Sequence, residues 1–406
     1  MASIEDRWFS ARPGPDGKKA RKPRHGTGKR WKVHYIDPDG RQRGESFGRR
    51  VDAERFKATI EADIVRGVYI DPDAGRRTLK AYGESWLAAQ TFGESTRERT
   101  ESRLRLHLFP VLGRRELGEL ARSPSIIQAW LRGLQATLAP STAALVLKNL
   151  SAMMTAAVDD GLIPRNPCRA ASVRTPKAEA PRVVPWPGPR VAAVRAALPA
   201  GYRAMTDCGA GLGMRQGEVF GISPDDVDWL RKMVHVRRQV KIVGGRPLFA
   251  PPKGGKERDV PLPESVALRL SAHLAEHPAR EVGLPWQAPG GQKVTVALAF
   301  TAPAGGAIWR GEWNRNTWHP ALQAAGVTPG RANGFHALRH AFASALLADG
   351  VDIRTLAEHL GHHDPAFTLR VYCHLIPSGQ ERMRSAVDRA LGGDCPGIAQ
   401  GGETGS

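Results

Sequence analysis

Two unlike halves meet at a proline-rich stretch, CRAASVRTPKAEAPRVVPWPGP, and no single fold satisfies both. Upstream, residues 78 to 166 read as helix throughout, broken at Gly93, Gly113, Pro124, Pro140 and Gly161, which fits about four or five packed helices. Downstream, from Val191, helical periods mix with short alternating runs: MVHVRRQVKIV, RPLFAPP and ERDVPLP read as strands. The stretch between them, residues 168–189, has prolines and basic residues without periodicity and reads as a linker. The chain is therefore expected to be multidomain, mainly α with small β-sheets. Its 406 residues leave room for about two or three separately packed cores.

The ends read differently. Residues 1–29 are rich in Gly, Pro, Lys and Arg and look too polar to bury a core, so a flexible basic arm is expected there. RWKVHYIDPDGRQRGESFG then alternates apolar and polar residues around an Asp39-Gly40 hairpin signal, and Val51 to Arg66 has helical periodicity with Phe56, Ile60 and Ile64 on one side. That predicts a compact ββ(β)α module over residues 30–70. Such a sheet can lie in a DNA groove, or it can serve only as a packing module. Residues 392–406 are Gly-rich and read as a disordered tail.

Charge narrows the partners. With 59 Lys and Arg against 40 Asp and Glu, the chain carries a formal net charge of +19 and a pI of about 10.4, a field that attracts polyanions, nucleic acid before membrane. The Arg-rich helical segment, with Arg97, Arg99, Arg103 and Arg105, suits phosphate contacts, though such helices can also be merely soluble. No run of about 18 apolar residues and no apolar leader occurs in the N-terminal MASIEDRWFSARPG, so a cytoplasmic, nucleoid-associated protein without a membrane partner is expected. Cys168, Cys208, Cys373 and Cys395 form no CxxC pair, which argues against a zinc site or a disulfide framework. Cys373 follows Tyr372 directly, and a small buried thiol is its expected role.

Chemistry-bearing groups concentrate between His336 and Tyr372. Helix signals divide this stretch into a segment from about Phe335 to Ala348 closed by Gly350, a second from Asp352 to Leu360 closed by Gly361, and a third opened by Asp364-Pro365. In the first, His336, Arg339 and His340 share one face at i, i+3 and i+4, while Leu338, Phe342, Ala345 and Leu346 cover another. A basic solvated face would look the same. Three other pieces tip the balance: GLGMRQGEVFGI with Arg215, PPKGGKERDVPLP with Lys253 at the tip of a β-hairpin, and LGHHDPAFTLRVY with His362 and Tyr372. Together they offer a nucleophile, two guanidinium groups, an ammonium and imidazoles, without the paired carboxylates of a metal-dependent nuclease.

That set suits phosphoryl transfer with no cofactor and no metal. Negative charge gathers on the non-bridging oxygens of an attacked phosphodiester, and Arg215 and Arg339 can hold them bidentately. A phenol with an ordinary pKa of about 10 needs a base or a cationic field to attack, which Tyr372 would find here. The departing alkoxide needs a proton, and Lys253, its pKa lowered by neighbouring cations, could give it. His336 could move protons on the nucleophile side, and His362 could hydrogen-bond a phosphate oxygen. His363 could contest the role of His362, whereas His340 reads as structural.

These residues resemble the tyrosine recombinase family, the phage integrases and Xer-type recombinases. The match runs from about Val191 to Arg389 in motif order: GLGMRQGE looks like the first arginine box, Lys253 the hairpin lysine, HALRH the HxxR box, and LGHHDPAFTLRVY the LGH-to-tyrosine segment. Ala337 stands where the family often has Asp. Residues 78–167 look like the family's helical core-binding domain, residues 30–70 like the arm-type DNA-binding domain of some integrases, and residues 190–391 like its α+β catalytic domain.

The resemblance implies conservative site-specific recombination of double-stranded DNA through a 3′-phosphotyrosine and a free 5′-hydroxyl. It implies four protomers on two sites, strand exchange through a Holliday junction, and no ATP or metal. It allows an excision factor or a DNA-bending protein as further partners, and docking of residues after Pro377 on a neighbouring protomer. A resolvase of chromosome or plasmid dimers is the runner-up, set back by the N-terminal sheet module. A decayed DNA-binding clamp would not keep every catalytic position occupied. A metal hydrolase using His336 and His340 would need HExxH or a third ligand, and no Glu lies between them.

Overall fold

The structure is a computed structural model that describes residues 2–13, 19–38, 40–66, 69, 74–177, 183–361, 364–372, 384, 387–388 and 390. The chain divides between residues 179 and 180 into two compact units.

The first unit opens with β1 (Ser3–Asp6), β2 (Phe9–Pro13), β3 (Lys19–Arg21), β4 (Trp31–Ile36), β5 (Gln42–Phe47) and α1 (Arg50–Val65). β1 pairs antiparallel with β4, which pairs with β5, while β2 pairs with β3. Ala53 and Ile60 of α1 pack with Ala2, Val33 and Tyr35, and Phe56 and Ile64 flank them. The flexible arm expected over residues 1–29 is therefore corrected: among its described residues, 3–6, 9–13 and 19–21 are strand. Its few apolar side chains suffice because ionic groups close the rest. Asp6 accepts from Arg30 Nη2 at 2.8 Å and from the Trp8 amide at 3.0 Å, and the Arg30 guanidinium lies 4.9 Å from the Phe9 ring and 4.7 Å from Trp31.

The helical part comprises α2 (Leu79–Ala89), α3 (Glu94–Arg103), α4 (Phe109–Leu112), α5 (Leu117–Arg122), α6 (Pro124–Gln135) and α7 (Pro140–Asp159). Thr78 caps α2 through its side chain, and Pro124 and Pro140 occupy first-turn positions where no amide is needed. By length and composition α7 could cross a membrane, but Val146, Leu147, Leu150, Met153 and Met154 are buried in the core of this bundle. Between α3 and α4 the chain widens into a π-turn over Leu104–Leu108, where the Phe109 amide reaches back to the Leu104 carbonyl. Pro110 explains it: a proline has no N–H and crowds the carbonyl four residues before it, and one extra residue in the turn relieves both.

In the second unit come α8 (Gly188–Ala197), α9 (Ala200–Gly211), α10 (Gln216–Val219), β6 (Val227–Asp228), β7 (Met233–Val236), β8 (Gln239–Val243), β9 (Arg246–Ala250) and β10 (Arg258–Pro261). They are followed by α11 (Glu264–Glu276), β11 (Arg280–Pro285), β12 (Lys293–Leu298), α12 (Arg310–Trp313), α13 (His319–Ala324), α14 (His336–Ala348), α15 (Ile353–Leu360) and α16 (Pro365–Tyr372). α8 begins inside the stretch expected as linker, because a proline at the first turn suits a helix start. A second π-turn, Asn314–Trp318, again precedes a proline, Pro320.

The expected Lys253 hairpin is also corrected. β9 pairs with β8, whereas β10 joins β7 and β6 in a separate sheet, so Lys253 stands on a connection between two sheets. Sequence adjacency suggested pairing, but burial of alternate side chains in β10 decided otherwise.

An aromatic column fixes the start of α14. Trp186 stacks on Trp318 and Trp318 on Trp313, with centroids 6.2 and 5.8 Å apart. The indole N–H of Trp186 donates to Asn333 Oδ1 at 3.2 Å and that of Trp318 to the Asn333 carbonyl at 3.1 Å. The turn before α14 is thereby anchored to the core.

Candidate active site

Two glycines shape the backbone around the cluster. Gly213, just after α9, has φ +62°, and a Cβ there would lie 2.5 Å from Phe342 Cδ1, so both conformation and space demand glycine. Gly361 closes α15 with φ +61° in the left-handed cap geometry expected of a helix end. These turns aim carbonyls inward.

Three arginines use those carbonyls. Arg258 Nε donates to His359 O at 2.8 Å, Arg339 Nη2 to Leu360 O, and Arg215 Nη2 to Gly361 O at 3.3 Å. Three successive carbonyls at the negative end of α15 thus each take one guanidinium. Arg339 Nη1 also donates to Gly213 O at 2.7 Å. At 1% exposure Arg339 belongs to the buried face of α14 with Leu338, Ala343 and Leu347, while Ala345, expected on the core side, is exposed.

One carboxylate balances the cluster. Glu218 is fully buried and accepts from Arg258 Nη2 at 2.7 Å and Nη1 at 3.1 Å, from Arg215 Nη1 at 2.9 Å and from the Arg215 amide at 2.8 Å. Burial alone would push its pKa up, but the hydrogen bonds and charge of Arg258, with the charge of Arg215, hold it down at about 2. Burial, with the like charges of Arg215 and Arg258, pulls Arg339 down to about 9, which leaves it charged at neutral pH.

Tyr372, at the end of α16, is 1% exposed and sits in an apolar cluster with Ala343, Leu347, Leu356 and Leu360. Burial pushes its phenol up to about 12 against the opposing fields of Arg339 and Arg215. Its Oη lies 2.7 Å from His340 Nδ1. Burial and the Arg339 charge press His340 down to about 4, so its imidazole is neutral, and in the tautomer protonated at Nε2 its Nδ1 accepts from the phenolic O–H. His336 is exposed, with its ring edge-on to His340 at 4.6 Å.

The structure therefore brings Arg215, Arg339 and Tyr372 together from three separated stretches, with His336 beside them. Lys253 is exposed, and among the described residues no hydrogen bond or ion pair ties it to the cluster. His362 and His363 lie outside the described residues, as do Cys373, Cys395 and the tail from residue 392. Sequence reasoning missed Glu218 and Arg258, and it gave His340 only a structural part. The signals were present: Glu218 follows Arg215 by one helical turn, Arg258 alternates inward with Val260 on β10, and His340 shares a face with His336. Among the described residues no three His, Cys, Asp or Glu side chains are grouped to hold a metal ion.

The family model described as the phage integrase family matches residues 191–378, and that of the phage integrase central domain matches residues 79–173. A prophage phiRv2 integrase of Mycobacterium tuberculosis is 27% identical over 368 residues, covering 88% of this chain and 92% of that protein. A XerC-like tyrosine recombinase of Caldanaerobacter subterraneus is 30% identical over 54% of this chain and 59% of its own length. Among solved structures, the Tn1549 transposon integrase in complex with circular intermediate DNA superposes with a TM-score of 0.63 at 17% identity, over 77% of this chain and 100% of that one. A lambda integrase tetramer bound to a Holliday junction does so with a TM-score of 0.54 at 17% identity, over 82% of this chain and 93% of that one. At such identities the structures speak for the fold.

Proposed function

The chain belongs to the phage integrase family of tyrosine recombinases, and on that premise we propose that it is a site-specific DNA recombinase whose nucleophile is Tyr372. It cuts and rejoins DNA to integrate or excise a phage or mobile element. The observation that carries the residue assignment is the convergence of Arg215 and Arg339 on the carbonyls of Gly361 and Leu360, on the turn that leads into the tyrosine helix.

Arg215 and Arg339 hold the non-bridging oxygens of the scissile phosphate, where their charge is worth most as the transition state forms. Tyr372 attacks phosphorus to give a 3′-phosphotyrosine and release a 5′-oxygen. Lys253, on its exposed loop, protonates that oxygen, His362 hydrogen-bonds the phosphate, and His336 conducts protons near the nucleophile. Residues 30–70 and 78–167 supply further DNA contacts, and the working assembly is a tetramer like that of lambda integrase on a Holliday junction. The integrase reading is preferred to a Xer-like resolvase because the prophage relative aligns over 88% of this chain and the XerC-like one over 54%.

A nicked suicide substrate carrying the attachment site tests the assignment. Wild-type protein should accumulate a covalent protein–DNA adduct, and Tyr372→Phe should give none while binding DNA almost as well. An adduct that persists in Tyr372→Phe overturns it.

A further inference from the structure

We propose that His340 takes the phenolic proton of Tyr372 during attack, so that HALRH carries its proton acceptor in its last residue. The inference rests on the reading of Tyr372 as nucleophile. Its geometry is direct, since His340 Nδ1 lies 2.7 Å from the reacting oxygen, within the reach a general base requires. Among the described residues no other titratable side chain is hydrogen-bonded to that oxygen. His336, one turn earlier, is exposed and meets His340 only edge-on at 4.6 Å.

The surroundings give the base a trigger. The groups whose charge bears on this pair are Arg339, one residue away on α14, and Arg215, before α10, with Glu218 and Arg258 behind them. Burial and Arg339 keep His340 neutral at neutral pH, so in the tautomer protonated at Nε2 its Nδ1 can accept from the outset. A phosphate that settles on Arg215 and Arg339 cancels much of the field that depresses the imidazole, and its basicity rises as substrate arrives. Proton transfer is thereby tied to correct docking.

The step balances. A bond forms between Oη and phosphorus, and the Oη proton passes to His340 Nδ1. The bond from phosphorus to the 5′-oxygen breaks, its electron pair leaves with that oxygen, and Lys253 protonates it. In rejoining, the 5′-hydroxyl gives its proton back to Lys253 as it attacks, the bond from phosphorus to Oη breaks, and the His340 imidazolium returns the proton to the departing phenolate. His340 is then base in cleavage and acid in ligation.

Single-turnover adduct formation on two substrates tests this, one with the natural 5′-oxygen leaving group and one with sulfur in its place, which departs without a proton. His340→Ala should slow adduct formation about 100-fold on both substrates, the usual order for loss of a general base. On the sulfur substrate its rate should climb with pH between about 6 and 9, where the wild-type rate stays flat, because the phenol must ionise unaided. His340→Asn keeps a hydrogen-bond acceptor but cannot hold the proton, and it should stay slow. A wild-type rate in His340→Asn would make His340 a positioning residue and overturn the inference. So would a rate increase in His340→Ala, which would make the contact a latch. DNA affinity and melting temperature verify that each variant folds. Absence of a Tyr372 adduct in the wild type would instead sink the nucleophile assignment.

Discussion

Replacing Glu218 with Gln removes the carboxylate that Arg215 and Arg258 share while keeping its size. The magnitude follows from how firmly the cluster holds the anion. Its pKa falls from the ordinary 4.5 to about 2 despite complete burial. At about 1.4 kcal/mol per pH unit, that displacement is worth roughly 3 kcal/mol of folded-state preference for the charged form. Breaking a buried pair by deleting one partner costs about 3–5 kcal/mol, which agrees. For a unit of roughly 200 residues, Glu218→Gln should lower the melting temperature by roughly 6–12 °C at pH 7.

The sign with pH is fixed by the direction of the shift. The folded-state value lies below the unfolded one, so the contribution is complete above about pH 4.5 and is lost as pH falls through about 2. Calorimetric melts of wild type and Glu218→Gln should therefore converge as the buffer is taken from pH 5 towards pH 3. Adding Arg258→Met to Glu218→Gln should recover more than half of the loss, because the unpaired guanidinium goes with the carboxylate. A single-variant cost below about 1 kcal/mol, or strict additivity of the pair, would refute the cluster as the seat of this stability.

Lys253→Ala should slow adduct formation on the natural substrate about 100-fold and be restored by the sulfur leaving group, since only the departing oxygen needs its proton. An equal defect on both substrates would remove Lys253 from the role of acid. Gly213→Ala combines a left-handed φ with a methyl group 2.5 Å from Phe342, and it should cost about 2–4 kcal/mol of stability. Restoration by a smaller residue at 342 should be partial, as the φ penalty remains; thermal melts of the single and double variants decide it.

What could be read in advance was local. The three helices from His336 to Tyr372 followed from period, cap and breaker, and Asp352 and Gly361 act as the caps their types suggest. The N-terminal strands were hidden because β1 finds its partner only at β4, across a polar stretch that looked too poor in apolar side chains to fold. The helical period sets Arg339 on the polar face with His336 and His340, yet it is buried. Its partners are main-chain carbonyls at Gly213 and Leu360, and no side-chain pattern announces a carbonyl. Glu218 stood inside a motif already singled out, but its role depends on Arg258, forty residues on in a strand whose pairing the sequence did not disclose. His340 was discounted because its bond to Tyr372 spans a helix, a turn and a second helix.

The use of His359, Leu360 and Gly361 carbonyls as receptors for three guanidinium groups sets an unusual rule for change at the end of α15. Receptors made of main chain do not depend on which side chains are present, so exchanges at positions 359 and 360 that preserve the helix should leave the arginines in place. Insertion or deletion of a single residue is another matter. It would turn every later carbonyl by about 100° around the helix axis and dislodge all three arginines together. Lineages of this chain should thus accumulate substitutions in α15 far more readily than changes of its length.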